Sequence, residues 1–342
     1  MKYPINNKTF LVTGSAGFVG FHISKRLLEA GYVVHGIDLM TASYYDPFLK
    51  HGRLDVLKKY NSYYHHQIDL AKSNSVKKLQ RDIGHIDIMI HLAAQACVLR
   101  SFEFPNEYVN DNIVAFQNML EIYSQSNATL FMYASSSSVY GQSEEGSIIQ
   151  ENKQTDLPVS IYGATKIANE AMAQSYFSFY KKPLIGLRFF KVYGPWSRPD
   201  TVFFKFADLI YKNQPIKIHN HGNIKHSFTY IDDITDCLIK TAVKPTEKLN
   251  FTSRHPIYNF GGKSVLLEDC VEAIEKAMGK KAIKEYVPLP HGDRWYTFAD
   301  SSLAQNDLSF NPDTPIDKGI QTFVEWYTND YISIMNNNKS SK

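Results

Sequence analysis

The stretch "LVTGSAGFVGFHISKRL", residues 11–27, joins an apolar run to a helical pattern through Gly14, Gly17 and Gly20. Small residues at such a junction let the backbone turn tightly and approach a diphosphate that lies on the helix N-terminus. Asp38 closes the next apolar run, close to the distance downstream at which an acid binds the ribose in dinucleotide-binding units. A cluster of turn glycines with a capping Asp is the weaker interpretation, because the strand, the helix and the acid stand in order. The stretch therefore predicts a dinucleotide-binding βαβ unit.

Acids at strand ends indicate which dinucleotide would bind. Asp38 can accept hydrogen bonds from a ribose 2′,3′-diol and would repel a 2′-phosphate. No Arg or Lys follows Asp38 until Lys50, so the sequence favours NAD over NADP. Asp69, in "IDL" at 68–70, ends a later run and could reach an adenine amino group. A loop Asp that caps the next helix explains its spacing equally well.

Apolar runs alternate with helical patterns over the first half of the chain. The runs are rich in Val, Ile, Leu and Phe at consecutive positions, as in parallel strands buried on both faces, and lie at 9–13, 32–38, 63–69, 86–94, 129–136 and 183–190. The alternation predicts an α/β fold with a Rossmann-type doubly wound parallel sheet, followed by a smaller mixed α/β C-terminal substrate lobe. The expected division is an NAD-binding domain at 1–190 to which a segment at about 228–262 returns, an interleaved substrate-binding lobe at 191–330, and a polar tail at 331–342.

The composition excludes several classes of protein. The chain has 342 residues, 44% of them hydrophobic, which suits two substructures that share a cleft rather than a disordered chain. The formal charge of +3 is small, and Lys and Arg are spread along the sequence, so we expect no nucleic-acid partner. No apolar run reaches membrane-spanning length, no signal-peptide region is visible, and Cys97, Cys237 and Cys270 lack a metal-binding spacing. We expect a cytoplasmic protein with free thiols, no metal and no membrane contact.

A tyrosine, a lysine and a run of serines form the candidate catalytic group. Tyr162 and Lys166 lie four residues apart, which places them on one face of a helix. A free tyrosine has a pKa near ~10, so the neighbouring ammonium and a positively charged nicotinamide ring are expected to lower the pKa of Tyr162. The pair alone is common on helix surfaces. The stronger indication is "YASSSSVYG" at 133–141, which ends a strand with serines at 135–138, at the sheet edge where ligands bind in such folds.

Four motifs stand in the order of one enzyme family: "TGSAGFVG", "HLAAQ", "SSSSVYG" and Tyr162-x-x-x-Lys166. With them the chain resembles the extended short-chain dehydrogenase/reductase family of NAD-dependent epimerases and dehydratases over nearly its whole length. The segments "LRFFKVYGPWSRPD", "SFTYIDDI" and "AIEKAMGKKA" are most similar to the UDP-glucuronate 4-epimerase branch. The resemblance implies an NAD-dependent nucleotide-sugar 4-epimerase that interconverts UDP-glucuronate and UDP-galacturonate through a transient 4-keto sugar.

The resemblance also implies roles for the motif residues. Tyr162 would be the general base on the sugar 4-hydroxyl, and Lys166 would hold the nicotinamide ribose. Ser136 matches the catalytic hydroxyl position, while Ser137 and Ser138 would contact the sugar. Related dehydratases and decarboxylases carry an acid in this turn, so neither of those reactions is expected. The positions that match the cofactor-binding pattern are Gly14, Gly17, Phe18, Val19, Gly20, Asp38, Asp69, Leu70, Ala93, Asn112, Tyr162 and Lys166.

Several residues depart from the branch pattern near the expected substrate. Leu99 and Arg100 stand where the branch has Arg and Tyr, so an arginine near the sugar has moved or gone. His226 stands where an Arg usually grips the diphosphate. Arg294 follows a Gly that a basic residue usually precedes, and it could bind substrate. Lys191 stands where the branch has Thr, and we expect it to grip the diphosphate or an acidic sugar group, with capping of strand carbonyls as the alternative.

Two further residues complete the predicted substrate site. Arg198, in "RPD", matches the position that faces a uronate carboxylate, and an ion pair with Asp200 is the alternative. His219 matches an aromatic position and would stack on the nucleotide base. His219 and His221 lack a third ligand at a spacing that would suit a metal.

The sequence leaves two other functions open. One is an epimerase or net oxidoreductase that acts on another nucleotide sugar, such as UDP-glucose, UDP-GlcNAc or a GDP-sugar. The other is a sugar- or NAD-sensing protein without activity, against which the intact Ser136, Tyr162 and Lys166 argue. The helices expected at 106–125 and 161–180 carry apolar residues on more than one face, and their equivalents pair across a dimer in the family, so we expect a homodimer.

Overall fold

The computed structural model describes residues 8–41, 45, 47–142, 146–244, 246, 249, 251–288 and 296–335. The strands, numbered along the chain, are β1 (Thr9–Thr13), β2 (Val33–Ile37), β3 (Tyr63–His66), β4 (Ile88–His91), β5 (Leu130–Ser136), β6 (Ile148–Ile149), β7 (Leu184–Phe189), β8 (Lys191–Tyr193), β9 (Ile216–His219), β10 (Lys225–Tyr230), β11 (Ile257–Phe260), β12 (Ser264–Leu266), β13 (Lys284–Val287) and β14 (Tyr296–Ala299).

The α-helices are α1 (Phe18–Glu29), α2 (Phe48–Leu57), α3 (Ser73–Ile83), α4 (Arg100–Glu103), α5 (Pro105–Tyr108), α6 (Ala115–Gln125), α7 (Ile161–Tyr180), α8 (Val202–Tyr211), α9 (Ile231–Val243), α10 (Leu267–Met278), α11 (Ser302–Leu308) and α12 (Ile316–Trp326). Short 3₁₀ segments span Ser137–Tyr140 and Asn220–Gly222, and π-helical segments span Val109–Val114 and Tyr327–Tyr331. No helix within the described ranges is long and apolar enough to cross a membrane.

The larger sheet is parallel and has the strand order β11-β7-β5-β4-β1-β2-β3. Thr13 pairs with Ile37 on one side and His91 on the other, so these strands end at one edge. The six strands predicted from apolar runs each lie inside the predicted run. This sheet confirms the prediction of a doubly wound Rossmann-type fold, and its carboxyl edge is where such folds bind ligands.

Burial on both faces explains why these strands are continuously apolar. Phe10 and Val12 on β1 join the cluster formed with α1 and α9, whereas Leu11 joins the cluster formed with α3, α6 and α7. Successive side chains point to opposite faces of a strand, so two layers of helices demand apolar residues at every position. β11, from the later part of the chain, lies at the edge of the same sheet beside β7.

The helix expected at 106–125 is interrupted. It consists of α5, the π-helical segment Val109–Val114 and α6. The π-helical segment contains Asn112, whose side chain both accepts from and donates to the backbone of Gln95 and also donates to Thr165. π-bulges commonly mark functional sites, and here the wider turn brings an amide to the loop that follows β4. Apolar periodicity alone does not reveal this change.

The smaller lobe holds a sheet of order β12-β10-β14-β6, with β8 paired to β10, and a separate pair formed by β13 and β9. Its core is aromatic and packs α8, α10 and α12 together, with Phe204 and Tyr331 among the buried rings. Tyr331 falls in the segment predicted as a polar tail, and the described part of that segment, 331–335, continues the last helix. The rest of the predicted tail lies outside the described residues. The domain limits drawn from the sequence stay a prediction.

Candidate active site

A cavity of about 1520 Å³ lies where the carboxyl edge of the larger sheet meets the smaller lobe. Every residue predicted to bind the cofactor lines it except Asn112. Every predicted catalytic or substrate residue lines it except Arg294, which lies outside the described residues. Within the described ranges, no three His, Cys, Asp or Glu side chains are grouped as a metal ion would require.

The glycine loop leaves room for a diphosphate against the backbone. Gly14 has φ +69°, and a Cβ there would lie 2.9 Å from the backbone nitrogen of Ala93. A Cβ on Gly20 would collide with the carbonyl oxygen of Gly14. α1 begins directly after Gly17, and no side chain within the described ranges caps its first amides. The bare loop and these open amides fit the diphosphate of a dinucleotide.

Asp38 is buried at the end of β2, where an adenosine ribose would lie in such folds. Its carboxylate accepts hydrogen bonds from the backbone amides of Ala16 and Met40. Lys50 Nζ lies 3.0 Å from the same carboxylate and also lines the cavity. Distance along the chain therefore does not keep Lys50 away from Asp38, because α2 folds Lys50 back onto the acid.

The remaining cofactor positions surround this pocket. Asp69 lines the cavity and accepts a hydrogen bond from the amide of Ala71. This bond precedes α3, whose N-cap residue is Lys72, so it is not the helix cap considered as the alternative to adenine binding. The carbonyl of Leu70 accepts from Asn118. Asn112 is buried and acts on the cavity only through the Gln95 loop, since its side chain is bonded to that backbone and to Thr165.

Tyr162, Ser136 and Lys166 come together beneath the cavity. Tyr162 and Ser136 line the cavity together, and the Ser136 side chain acts to lower the pKa of Tyr162. Lys166 Nζ lies 6.0 Å from the centre of the Tyr162 ring. Lys166 is 2% exposed and donates to the carbonyl of Ala134 at 2.9 Å. The helix that carries the pair begins cleanly, because Ser160 accepts a hydrogen bond from the amide of Gly163.

Burial dominates the electrostatics of this pair. It raises the pKa of Tyr162, while the Ser136 hydrogen bond and the charge of Arg198 act in the opposite direction. Burial also lowers the pKa of Lys166 to about 8, against the attraction of Glu170. The expected lowering of the tyrosine pKa is therefore not produced by the protein alone, because desolvation of the phenolate outweighs the nearby cations. A cofactor that brings positive charge to this pocket would favour the phenolate.

The serine turn at the end of β5 lies against α7. Ser136 Oγ accepts a hydrogen bond from the amide of Ser138, which fixes the turn. Gly163, beside Tyr162, permits this approach, because a Cβ there would lie 2.7 Å from the carbonyl oxygen of Ser138. Ser137 and Ser138 line the cavity next to Ser136.

The basic residues predicted to bind the substrate have different surroundings. Arg198 forms a two-point ion pair with Asp200, with distances of 2.9 and 2.8 Å, which is the alternative that the sequence leaves open. Lys191, at the start of β8, is an exposed residue of the cavity wall. His226 is buried and its Nδ1 lies 2.8 Å from Thr297 Oγ1. His219 Nδ1 lies 3.3 Å from the carbonyl oxygen of Pro288.

Leu99 and Arg100, which differ from the branch pattern, lie in different surroundings. Leu99 lines the cavity and is 76% exposed. Arg100 donates to Glu107 at 2.8 Å, and its guanidinium lies 3.9 Å from the centre of the Phe104 ring. Arg100 therefore does not replace the missing arginine in the cavity.

Several charged residues of the cavity wall are not among those predicted from the sequence: Lys50, Asp111, Lys205 and Lys217. Lys217 could be found, because Ile216 and Ile218 are buried and strand alternation then places Lys217 and His219 on one face. Lys50 and Lys205 lie on helices whose approach to the cleft depends on tertiary packing.

The chain matches a family model and several known proteins over most of its length. The model of the NAD dependent epimerase/dehydratase family matches residues 10–261. A probable UDP-glucuronate 4-epimerase of Rhizobium meliloti is 38% identical over 337 residues, covering 94% of this chain and 97% of the relative. UDP-glucuronate 4-epimerase 4 of Arabidopsis thaliana is 40% identical, covering 95% of this chain and 76% of the relative.

A solved structure agrees. The UDP-glucuronic acid 4-epimerase from Bacillus cereus, in complex with UDP-glucuronic acid and NAD, superposes with a TM-score of 0.84 at 30% identity, covering 94% of this chain and 99% of that one. These matches confirm the family and the cofactor expected from the motifs. The chain belongs to the NAD-dependent epimerase/dehydratase family.

Proposed function

We propose that this protein is an NAD-dependent UDP-glucuronate 4-epimerase. The observation that carries the proposal is that Tyr162, Ser136 and buried Lys166 line one cavity together with the glycine loop. Relatives that carry this name align with nearly the whole chain. Bound NAD would supply a hydride acceptor at C4 of the sugar and return the hydride to the opposite face.

The chain's own residues move the proton and orient the sugar. Tyr162 would accept the proton of the 4-hydroxyl and later give it back to the 4-keto oxygen. Ser136, which lines the cavity with Tyr162, would hold that oxygen in line. Lys166 places a positive charge beneath the ring when protonated and thereby favours the phenolate over the neutral tyrosine.

Recognition of the acidic sugar is assigned to the cations of the cavity wall. Arg198 lines the cavity but is engaged by Asp200. A uronate carboxylate would compete for the same two-point geometry. Lys191 and Lys217 lie on the same wall and would attract the diphosphate and the carboxylate together. We assign the nucleotide base to the end near His219.

An epimerase of another nucleotide sugar is the second candidate. It is favoured by Leu99, which places an apolar side chain in the cavity, and by Asp200, which already balances the charge of Arg198. Comparison of kcat/KM for UDP-glucuronate, UDP-glucose and UDP-GlcNAc separates the two. A preference for UDP-glucuronate of tenfold or more, of order 1.4 kcal/mol, supports the proposal, and a preference for a neutral sugar refutes it.

Replacement of the base tests the chemistry. We expect Tyr162→Phe to lower kcat by roughly 10² to 10⁴, the range for loss of a general base. Tyr108→Phe is the matched control, because Tyr108 packs edge-on against Tyr162 and its hydroxyl bonds only to the Cys97 carbonyl among the described residues. Equal activity in Tyr162→Phe and wild type would refute the assigned role, and no activity in either protein would favour a sensor.

A homodimer, a cytoplasmic location and a role in polysaccharide biosynthesis belong to the same proposal. Apolar residues remain exposed along the two predicted dimer helices, including Val109 at 43% and Phe179 at 79%. Their burial in a second copy would remove this surface from water. Light scattering at micromolar concentration should give twice the chain mass, and a monomer would refute the dimer. The three cysteines are free thiols, as suits a reducing compartment.

A further inference from the structure

A buried ion pair lies directly beneath the serine turn. Glu170 on α7 and Arg188 on β7 are 8% and 4% exposed. Arg188 Nε and Nη2 donate to the two carboxylate oxygens at 2.8 and 2.7 Å. A buried ion pair of this kind is costly to desolvate, and apolar residues of similar volume are often as stable. Stability alone therefore does not explain why an ion pair occupies this position.

The pair is bonded to both ends of the turn that carries Ser136. At the start, Ser135 Oγ donates to Glu170 at 2.5 Å. At the end, Arg188 Nη1 donates to the hydroxyl of Tyr140 at 2.7 Å, and that hydroxyl donates to Asn259. All of these side chains are buried, so solvent does not compete for the bonds. The serine turn is thus fastened at both ends to one charged network.

The same glutamate acts on the catalytic lysine. Glu170 lies one helical turn after Lys166, and its charge opposes the loss of the lysine proton. The other groups that face Lys166 are the Ala134 carbonyl on β5, Tyr162 on its own helix and His91 on β4. Burial lowers the pKa of His91 to about 3, so it stays neutral near neutral pH. Among the described residues that face Lys166, Glu170 is therefore the group whose negative charge favours the protonated lysine.

We propose that Glu170 and Arg188 are positioning residues for the epimerisation, which fix the Ser136 turn and maintain the charge of Lys166. The inference rests on the proposed function for its reaction. The network therefore has two separable effects: one on the geometry of the Ser136 turn and one on the charge of Lys166. Neither residue lines the cavity.

Glu170→Gln is the decisive variant, because the amide keeps an oxygen for Ser135 and removes the charge. We expect kcat to fall on the order of 10-fold to 100-fold, as for a small misplacement of catalytic groups, with KM changed less than about twofold. We also expect the alkaline limb of the pH profile of kcat to move to lower pH, since Lys166 then loses its proton more easily. Glu275→Gln is the matched control: Glu275 is 5% exposed and pairs with Lys281, away from the cavity.

Tyr140→Phe separates geometry from charge. It removes the hydroxyl that links Arg188 to the end of the turn and leaves Glu170 ionised. We expect a lower kcat with an unchanged alkaline limb. If Glu170→Gln does not fold, this variant decides the geometric part, and wild-type kcat in a folded Tyr140→Phe protein would overturn it.

A measurement without substrate keeps the inference distinct from the proposed function. The free energy of unfolding is measured against pH for wild type and Lys166→Met, and again with Glu170→Gln in both. The free energy of unfolding of wild type minus that of Lys166→Met should rise with pH from about 8, where the buried lysine loses its proton. In the Glu170→Gln background, the same difference should begin to rise at lower pH. Coincident curves overturn the inference even if the enzyme is active, whereas failure of wild type to convert UDP-glucuronate counts against the proposed function alone.

Discussion

Gly14→Ala should weaken NAD binding far more than it weakens the fold. Two costs follow from the structure. Ala would be held at φ +69°, a left-handed conformation that costs an L-residue about 1–2 kcal/mol. Its Cβ would also lie 2.9 Å from the backbone nitrogen of Ala93, tighter than real Cβ contacts, and overpacking of this kind costs about 1–3 kcal/mol. The nearest atoms, from Leu92 and Ala93, are all backbone, so relief requires the loop to move.

The loop is the part that must lie against the diphosphate, so we expect most of this cost to fall on the NAD-bound state. A loss of roughly 2–5 kcal/mol corresponds to a Kd for NAD raised about 30-fold to 5000-fold. Isothermal titration calorimetry on protein stripped of NAD measures it. Gly279→Ala is the matched control, with φ +64° and nothing within 4 Å of a Cβ, so it carries the strain without the collision. An unchanged Kd in Gly14→Ala, or an equal loss in Gly279→Ala, would refute the assignment of this loop.

Three further outcomes follow from named contacts. Lys166→Met should abolish epimerisation yet stabilise the protein at neutral pH, because the lysine pKa is 10.5 in the unfolded chain and about 8 in the folded protein. The lysine charge therefore opposes folding below about pH 8, and this cost disappears as the pH rises to 10.5. Urea unfolding of both proteins at pH 7 and pH 10 tests this, and a variant less stable than wild type at pH 7 contradicts it. Arg53→Met should lower the free energy of unfolding by roughly 2–6 kcal/mol, because buried Arg53 donates to the carbonyls of Ala16 and Trp196, and wild-type stability in chemical denaturation would show that these bonds are not needed. Asp200→Asn should lower the KM for UDP-glucuronate and leave the KM for UDP-glucose unchanged, since it releases Arg198 for the substrate carboxylate. Steady-state kinetics with both sugars tests this, and equal changes in the two KM values would argue against a carboxylate role for Arg198.

The larger sheet could be predicted closely from the sequence because burial on both faces demands continuous apolar runs. Each predicted run contains its observed strand, and the helix at Ile161–Tyr180 has the predicted bounds. The π-helical segment Val109–Val114 could not be predicted, since its cause is the bonding of Asn112 to a loop distant in the sequence. Local apolar periodicity carries no information about such a contact.

The candidate site could be predicted as a set of residues, less so as an electrostatic environment. Neighbouring motifs gave Tyr162, Lys166 and Ser136, and the structure places them together. The raised pKa of Tyr162 could not be foreseen, because desolvation depends on the depth of the site. The contact of Lys50 with Asp38 is likewise a product of the path of α2, not of the distance along the chain.

The central claim is that hydride leaves C4 of UDP-glucuronate and returns to the same carbon inside one protein molecule. The most direct test is to incubate the purified protein, without added NAD, in ordinary water with UDP-glucuronate carrying deuterium at C4, and to separate the products by anion exchange for mass and NMR analysis. We expect UDP-galacturonate that keeps the deuterium at C4. UDP-galacturonate with hydrogen from water at C4 would contradict hydride return, and no UDP-galacturonate from protein that contains NAD would contradict the proposed substrate.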